Sequence, residues 1–145
     1  KRRKYYEQIL KENSSNYDIW FNYIKMEEDC LDNVYLINDI VEAHKRKLKN
    51  SNIANPLEIY YNKIRDLYER AVSNIPIKEE KGYWKRYIYL WINYAVFEEL
   101  VTLNISRAEK IYTKALEIIP NKKFTFSKIW ILFSEFLFFL LMLFF

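Results

Sequence analysis

Residues Trp84 to Pro120 read WKRYIYLWINYAVFEELVTLNISRAEKIYTKALEIIP, and this stretch decides the fold. Its first half places tryptophan, tyrosine, phenylalanine and glutamate three or four residues apart, and its second half spaces Arg-Ala, Ile-Tyr and Ala-Leu pairs in the same way. This spacing puts the apolar side chains on one face of a helix. The stretch therefore predicts two helices joined by a short turn.

The second-helix pattern also occurs upstream, at a constant offset of 44 residues. Its upstream members are Leu67, Tyr68, Arg70, Ala71, Val72, Ile75 and Pro76. Proline closes both copies because it cannot continue a helix. Similar hairpins along a chain are typical of solenoids, in which each repeat buries its apolar face against the next. The predicted fold class is all-α, a superhelical array of antiparallel helix hairpins.

The first-helix pattern occurs three times, and we expect its aromatic members to lie in the core. These members are Trp20, Tyr23, Trp91, Tyr94 and Trp130. Glu27 and Glu98 follow a tryptophan by seven residues, which returns them to the buried face of the helix. Because an unpaired buried carboxylate is costly, we predict that Arg107 pairs with Glu98 and that Arg65 pairs with Glu27.

These patterns predict a single array over residues 1–145, divided into four parts. Residues 1–13 form a partial repeat, residues 17–76 a repeat with an insert at about 29–59, and residues 84–120 a further repeat. Residues 124–145 are the first helix of another repeat. Asn16 is the predicted N-cap of the helix that carries Trp20. The chain is thus expected to begin within a repeat.

The predicted insert carries a basic run, HKRKLK at His44 to Lys49. We expect a helix over Val34 to Leu48 and a flexible loop from Lys49 to Pro56. Its candidate contact residues are Lys45, Arg46, Lys47 and Lys49. They suit a phosphate contact or a localisation signal, and a solvated insert is the alternative interpretation.

The C-terminal ten residues, FLFFLLMLFF, lack the repeat pattern. The apolar run counted back to Ile129 is interrupted by Ser134 and Glu135, and it is shorter than the about 20 residues of a transmembrane helix. We therefore interpret the tail as a place where the repeat is no longer encoded, through truncation or a faulty gene model, rather than as a membrane anchor.

The residue inventory argues against an enzyme. The chain has a single cysteine (Cys30), a single histidine (His44) and a single glycine (Gly82), too few for a zinc site, a nucleophile with its base or a phosphate loop. We predict no catalytic, cofactor-binding or metal-binding residue. The pairs Glu27/Glu28, Glu79/Glu80 and Glu98/Glu99 are interpreted as one buried structural acid beside one solvated neighbour. The formal charge of +4 favours no particular partner.

The patterns Trp-x-x-Tyr-x-x-Phe-Glu and Arg-Ala-x-x-Ile-Tyr-x-Lys-Ala-Leu resemble the half-a-TPR (HAT) repeat of RNA-processing scaffolds. Trp84 to Leu100 and Ile119 to Phe136 are similar to the crooked neck-like splicing factors, and Lys1 to Glu28 extends the match. The insert and the apolar tail depart from it. The resemblance implies that the buried acids are Glu27 and Glu98. It implies packing roles in the first helices for Trp20, Tyr23, Trp91, Tyr94 and Trp130, and in the second helices for Tyr68, Ala71, Tyr112 and Ala115.

The resemblance also implies a function. It predicts a nuclear, non-catalytic scaffold of the spliceosome that assembles other proteins, with partners of the NineTeen complex type and no small-molecule substrate. The alternatives are a HAT scaffold of mRNA 3′-end processing or ribosomal RNA maturation, and a direct RNA-binding module. For the last, Tyr83, Tyr87 and Tyr89 beside Lys85 and Arg86 are the candidate stacking residues.

Overall fold

The computed structural model describes residues 1–49 and 52–144. Within these residues the chain forms α-helices and one π-helical turn, and no β-strand. The elements are α1 (Arg2–Glu12), α2 (Tyr17–Asp29), α3 (Leu31–Leu48), α4 (Pro56–Val72), α5 (Lys81–Val96), the π-helical turn (Phe97–Val101), α6 (Ile105–Ile118) and α7 (Ser127–Phe144). The predicted all-α class of packed helices is confirmed. The chain divides into two compact units, Lys1–Asn74 and Ile75–Phe145.

In the first unit, α2 packs against α1, α3 and α4, and α4 also packs against α3. Trp20, Tyr23 and Ile24 of α2 are buried together with Ile64 and Tyr68 of α4. The ring of Tyr23 also stacks on that of Tyr6 from α1, with 5.2 Å between the centroids. The core of this unit therefore lies where α2 meets its neighbours.

Asparagine caps begin three of the helices. The side chain of Asn16 accepts a hydrogen bond from the backbone N–H of Ile19, which confirms it as the N-cap of α2. Asn55 caps α4 ahead of Pro56, and Asn104 caps α6. Each cap satisfies a backbone donor that the first turn of a helix leaves unpaired.

The predicted insert contains an ordered helix, since α3 covers the expected span Val34 to Leu48 and packs against α2 and α4. Helix α4 already begins at Pro56. The predicted loop Lys49 to Pro56 includes residues 50 and 51, which lie outside the described residues. The insert thus adds a third helix beside the α2–α4 pair.

Helix α4 ends earlier than the sequence pattern predicts. Its last helical residue is Val72, four residues before Pro76. The side-chain amide of Asn74 donates to the carbonyls of Arg70 and Ala71, which ends the backbone ladder there. As a result Ile75 is 49% exposed, whereas its counterpart Ile119 is buried.

In the second unit, α6 packs against α5, the π-helical turn and α7. Tyr112 of α6 is buried against Phe133 and Phe136 of α7, with ring centroids 5.3 and 5.4 Å apart. Helix α7 thus turns Phe133 and Phe136 towards α6, and buried Ile129 lies on the same side of the helix, four and seven residues before them. Trp130, predicted to lie in the core, is 44% exposed because it lies one position round the helix from this face.

Helix α7 is apolar around most of its circumference. Its 18 residues, Ser127–Phe144, have a mean hydropathy of 1.9, and by length and composition only it is a candidate for crossing a membrane. Of its side chains, Ile129 and Phe136 are buried within the second unit. The predicted tail is therefore helical as far as Phe144, and Phe145 lies outside the described residues.

Candidate functional site

The carboxylate of Glu27 near the end of α2 is fully buried and is bound from two other helices. Arg3 of α1 donates from Nε to Oε1 at 2.5 Å and from Nη2 to Oε2 at 3.0 Å. On α4, the hydroxyl of Tyr60 donates to Oε2 at 2.5 Å, and Nζ of Lys63 lies 3.5 Å away. Burial raises the pKa of Glu27, but these partners outweigh it, so that the net shift of the pKa is downward.

The predicted pairing of Glu27 with Arg65 is wrong. Arg65 donates from Nη1 to Oε1 of Glu58 at 2.8 Å and to Oδ1 of Asn62 at 2.9 Å. Glu58 and Asn62 lie one or two turns before Arg65 on α4, and so face the same side of that helix. The side of α4 that faces Glu27 carries Tyr60 and Lys63 instead. Arg3 belongs to the N-terminal helix, which sequence spacing did not link to this acid.

The predicted pairing of Glu98 with Arg107 is confirmed. Glu98 is fully buried in the π-helical turn, and its Oε2 lies 3.4 Å from Nε of Arg107 on α6. Thr102 also donates to the same oxygen at 3.0 Å. In each unit a fully buried glutamate at the end of a first helix is thus neutralised by an arginine from another helix.

In the pairs Glu27/Glu28 and Glu98/Glu99 the second glutamate is also engaged, contrary to the expectation of a solvated neighbour, whereas in the pair Glu79/Glu80 both acids are exposed. The hydroxyl of Tyr68 donates to Oε1 of Glu28 at 2.6 Å, and the hydroxyl of Tyr112 donates to Oε2 of Glu99 at 3.0 Å. Both glutamates are half-buried. Burial raises the pKa of Glu28, and the hydrogen bond from Tyr68 opposes that rise.

A second polar network ties α1, α2 and α4 together. Arg70 forms a bidentate pair with Glu7, with Nη1–Oε1 and Nη2–Oε2 distances of 2.9 and 2.7 Å. The hydroxyl of Tyr23 donates to Oε1 of Glu7 at 3.1 Å, and the guanidinium of Arg70 lies 5.2 Å from the ring centroid of Trp20. A groove of about 700 Å³ opens beside this network, along Leu10 and Trp20.

The buried tryptophans differ in how their indole N–H is satisfied. That of Trp20 donates to the carbonyl of Ser14 at 2.8 Å, and that of Trp84 to the carbonyl of Lys78 at 3.1 Å, six residues upstream in both cases. The indole N–H of Trp91 is buried without a partner among the described residues. The repeat pattern placed Trp91 at the position equivalent to Trp20. The structure shows that Trp84, and not Trp91, makes the same indole-to-carbonyl hydrogen bond as Trp20.

The remaining predicted core residues also have defined positions. Tyr94, Ala71 and Ala115 are buried, like Tyr23, Tyr68 and Tyr112. Ala71 on α4 and Ala115 on α6 have no exposed surface. Trp130 is the member of the predicted core that the structure leaves largely exposed.

The predicted basic contact residues lie at the C-terminal end of α3. Lys45 is half-buried and binds Oε1 of Glu42 at 3.1 Å, whereas Arg46, Lys47 and Lys49 are exposed. Lys49 ends the helix in the left-handed conformation, with φ of 50°. Nδ1 of His44 lies 2.9 Å from the carbonyl oxygen of Ile40. The run is therefore a helical surface with three exposed cations.

The candidate RNA-stacking tyrosines are divided between surface and core. Tyr83 and Tyr89 are exposed, but Tyr87 is fully buried and packs edge-on against Trp84 and Trp91. A stacking role for Tyr87 is therefore wrong, because a base would need access to its ring. Over residues 1–49 and 52–144, no group of three or more His, Cys, Asp or Glu side chains is placed to hold a metal ion.

Several known proteins are similar to this chain along most of its length. Over 136 residues, 94% of the chain, it is 45% identical to Crooked neck-like protein 1 of Dictyostelium discoideum. The same span is 42% identical to Pre-mRNA-splicing factor clf1 of Aspergillus fumigatus and 41% identical to Crooked neck-like protein 1 of Homo sapiens. The chain is a homologue of the crooked neck-like splicing factors.

The similarity to the crooked neck-like proteins covers a small part of them. The chain spans about 15% of the length of the Dictyostelium relative and 13% of the human one. No protein-family model matches the chain.

Proposed function

We propose that this chain is a segment of a non-catalytic scaffold that assembles proteins of the spliceosome in pre-mRNA splicing. The observation that carries the proposal is the 41–45% identity over 94% of the chain to relatives that include a named pre-mRNA-splicing factor. The expected location is the nucleus, and the expected partners are proteins of the NineTeen complex type, with RNA present in the assembled complex.

The geometry of the buried acids supports a structural role. Glu27 and Glu98 are each bound by an arginine from another helix, and a hydroxyl group also donates to each. A general acid or base needs a carboxyl that can exchange its proton with a substrate, whereas both of these carboxylates are fully buried and enclosed by partners from the chain itself. Their charge joins helices to one another, which is what a scaffold requires.

The repeat core supports the same proposal. Trp20, Trp84, Trp91 and Tyr112 are all buried, and the ring of Tyr112 on α6 packs against Phe133 and Phe136 of α7. Stacked helical hairpins hold their outward surfaces in fixed positions, and such surfaces bind extended or helical segments of other proteins. The mechanism proposed is geometric, since binding energy comes from the outer surface and the buried aromatic residues keep that surface in place.

Affinity purification of the tagged protein from nuclear extract tests the proposal. The expected result is co-purification of spliceosomal proteins, with that recovery lost in a Trp91→Ala variant and retained in a Trp130→Ala variant. Both changes remove an indole, but only Trp91 is buried. Recovery of 3′-end-processing or ribosomal RNA maturation proteins in place of spliceosomal ones would contradict the proposal, as would recovery unchanged by Trp91→Ala.

A further inference from the structure

The outward side of α3 carries a patch of exposed aliphatic side chains. Leu36, Ile37 and Ile40 are 62%, 51% and 51% exposed. Leu31 and Val34, on the other side of the helix from Ile40, are buried where α3 packs against its neighbours. The three exposed residues lie within about one helical turn, and so form a continuous patch rather than the single exposed apolar residues common on protein surfaces. Such a patch indicates an interaction surface.

The residues along this side of α3 have the spacing of a coiled-coil seam. Successive members lie three, four, three and four residues apart, and all of them are exposed: Asn33, Leu36, Ile40, Ala43 and Lys47. At 3.6 residues per turn this spacing keeps them within an arc of about 80°. Side chains in such a seam insert between those of a facing helix. The seam therefore fits another helix as its partner.

One acidic and one basic side chain flank the seam. Asp39 directly precedes Ile40 and Arg46 directly precedes Lys47, and both charged residues are exposed. Asp39 and Arg46 are seven residues apart, beyond the three or four residues over which side chains of one helix pair. Within the part of the chain that the structure describes, neither makes an ion pair. A charge of each sign is thus available beside the seam.

A second α3 running antiparallel complements the seam residue by residue. When Ile40 of one copy packs on Ala43 of the other, Lys47 of the first copy lies opposite Leu36 of the second. The aliphatic stem of the lysine can cover the leucine while its ammonium group reaches solvent. A parallel pairing would place the two copies of Lys47 side by side, and their charges would repel.

The flanking charges favour the same antiparallel arrangement. Asp39 of each copy then faces Arg46 of the other copy, so the two-fold symmetry of the pair forms the ion pair twice. Charged residues in these flanking positions set the partner and the orientation of paired helices. Because both complementary charges belong to α3 itself, the partner they select is a second α3.

We propose that α3 is a self-association surface through which two copies of this chain pair antiparallel. Helix α3 is already formed by its packing against α2 and α4, so pairing does not have to order it. A nucleic-acid strand fits this side less well, since Asp32 and Asp39 flank the seam and repel phosphates. The pairing goes beyond the proposed scaffold function and does not depend on it.

Sedimentation velocity of the whole chain over a range of concentrations tests the pairing. Ile40→Ser removes an apolar seam contact, and Asp39→Arg and Arg46→Asp each set like charges against each other. The matched control is Ile131→Ser, which removes an isoleucine of similar exposure, 54%, from α7. All four side chains are exposed, and circular dichroism verifies that the variants keep their helices.

The expected result is a monomer–dimer equilibrium whose dissociation constant rises about tenfold in Ile40→Ser and in each single charge variant, and stays unchanged in Ile131→Ser. The double variant Asp39→Arg/Arg46→Asp should pair like the wild type. An equimolar mixture of the two single charge variants should also pair, because one chain then brings two cations and the other two anions.

Three results would overturn the proposal. They are a chain that stays monomeric at every concentration, a dimer that is lost in Ile131→Ser but kept in Ile40→Ser, and a mixture of the single charge variants that fails to pair. The second result would assign self-association to α7 instead.

Discussion

The hydroxyl of Tyr112 on α6 donates a hydrogen bond of 3.0 Å to Oε2 of Glu99, at the end of the preceding helical segment. Tyr68 makes the same contact with Glu28 at 2.6 Å, although α3 lies between the two helices in sequence. The contact is thus kept when a whole helix is inserted into the connection. In both units a Tyr–Glu hydrogen bond thus joins the second helix of the pair to the end of the first.

Tyr112→Phe is expected to lower the free energy of unfolding of the second unit by about 1 to 2 kcal/mol. The change removes the hydroxyl from a buried ring and leaves half-buried Glu99 without that donor, a loss within the range of about 1 to 3 kcal/mol for a buried polar group left unsatisfied. Urea unfolding followed by circular dichroism measures it. Tyr89→Phe, which removes an exposed hydroxyl from α5, is the control and should change stability by less than about 0.5 kcal/mol. Equal effects of the two changes would refute the structural role of the Tyr–Glu bond.

Double-mutant cycles separate the true partner of Glu27 from the one that sequence spacing predicted. Arg3 and Glu27 are expected to show a coupling free energy of about 1 to 2 kcal/mol, because either truncation leaves the other charge without its bidentate partner. Arg65 and Glu27 should be additive within about 0.5 kcal/mol. The measurement is urea unfolding of Arg3→Ala, Arg65→Ala, Glu27→Ala and the two double variants. A larger coupling for Arg65 than for Arg3 would restore the sequence prediction.

These two acids show how far sequence reasoning reaches. Glu98 and Arg107 belong to adjacent helices joined by a short turn, so periodicity and spacing were sufficient to pair them. The partners of Glu27 come from α1 and from the far side of an inserted helix, where spacing along the chain no longer measures distance in space. Tyr60 and Lys63 precede Arg65 on the same helix, and only the rotation of α4 decides which of them faces the acid.

The tryptophans show the same limit. The helical period correctly predicted burial of Trp20 and Trp91, whose helices have packed neighbours on the faces that carry them. For Trp130 the pattern gave a helix but not its orientation, because α7 is apolar on most sides and hydrophobicity alone does not select a face. The contact with Tyr112 selects it, through Phe133 and Phe136.

Trp91→Ala and Trp130→Ala are expected to differ sharply. Removing the buried indole of Trp91 leaves a cavity and should cost about 3 to 5 kcal/mol, enough to unfold a marginal helical unit. Removing the largely exposed indole of Trp130 should cost less than about 1 kcal/mol. Thermal unfolding followed at 222 nm compares them. Similar losses from both would mean that the face of α7 bearing Trp130 is packed in solution.

Acid should destabilise the first unit through Glu7 and Glu27. Hydrogen bonds from Arg70 lower the pKa of Glu7 below 4.5, and those from Arg3 and Tyr60 outweigh burial to lower the pKa of Glu27. Below pH 4.5 the unfolded chain takes up these protons first, so this stability is present above pH 4.5 and is lost as the pH falls through the folded-state pKa values. Burial raises the pKa of Glu28 and works in the opposite sense, since its folded state binds the proton more tightly.

The measurement is the urea midpoint between about pH 6 and pH 3 for wild type and for Glu7→Gln. The wild-type midpoint should fall with pH, and Glu7→Gln should flatten that fall because its amide does not titrate. Glu12→Gln, on the exposed side of the same helix, is the matched control and should keep the wild-type slope. If Glu7→Gln and Glu12→Gln gave the same slope, the Arg70–Glu7 pair would contribute nothing to the pH dependence of folding, and the acid sensitivity of the first unit would have to come from Glu27.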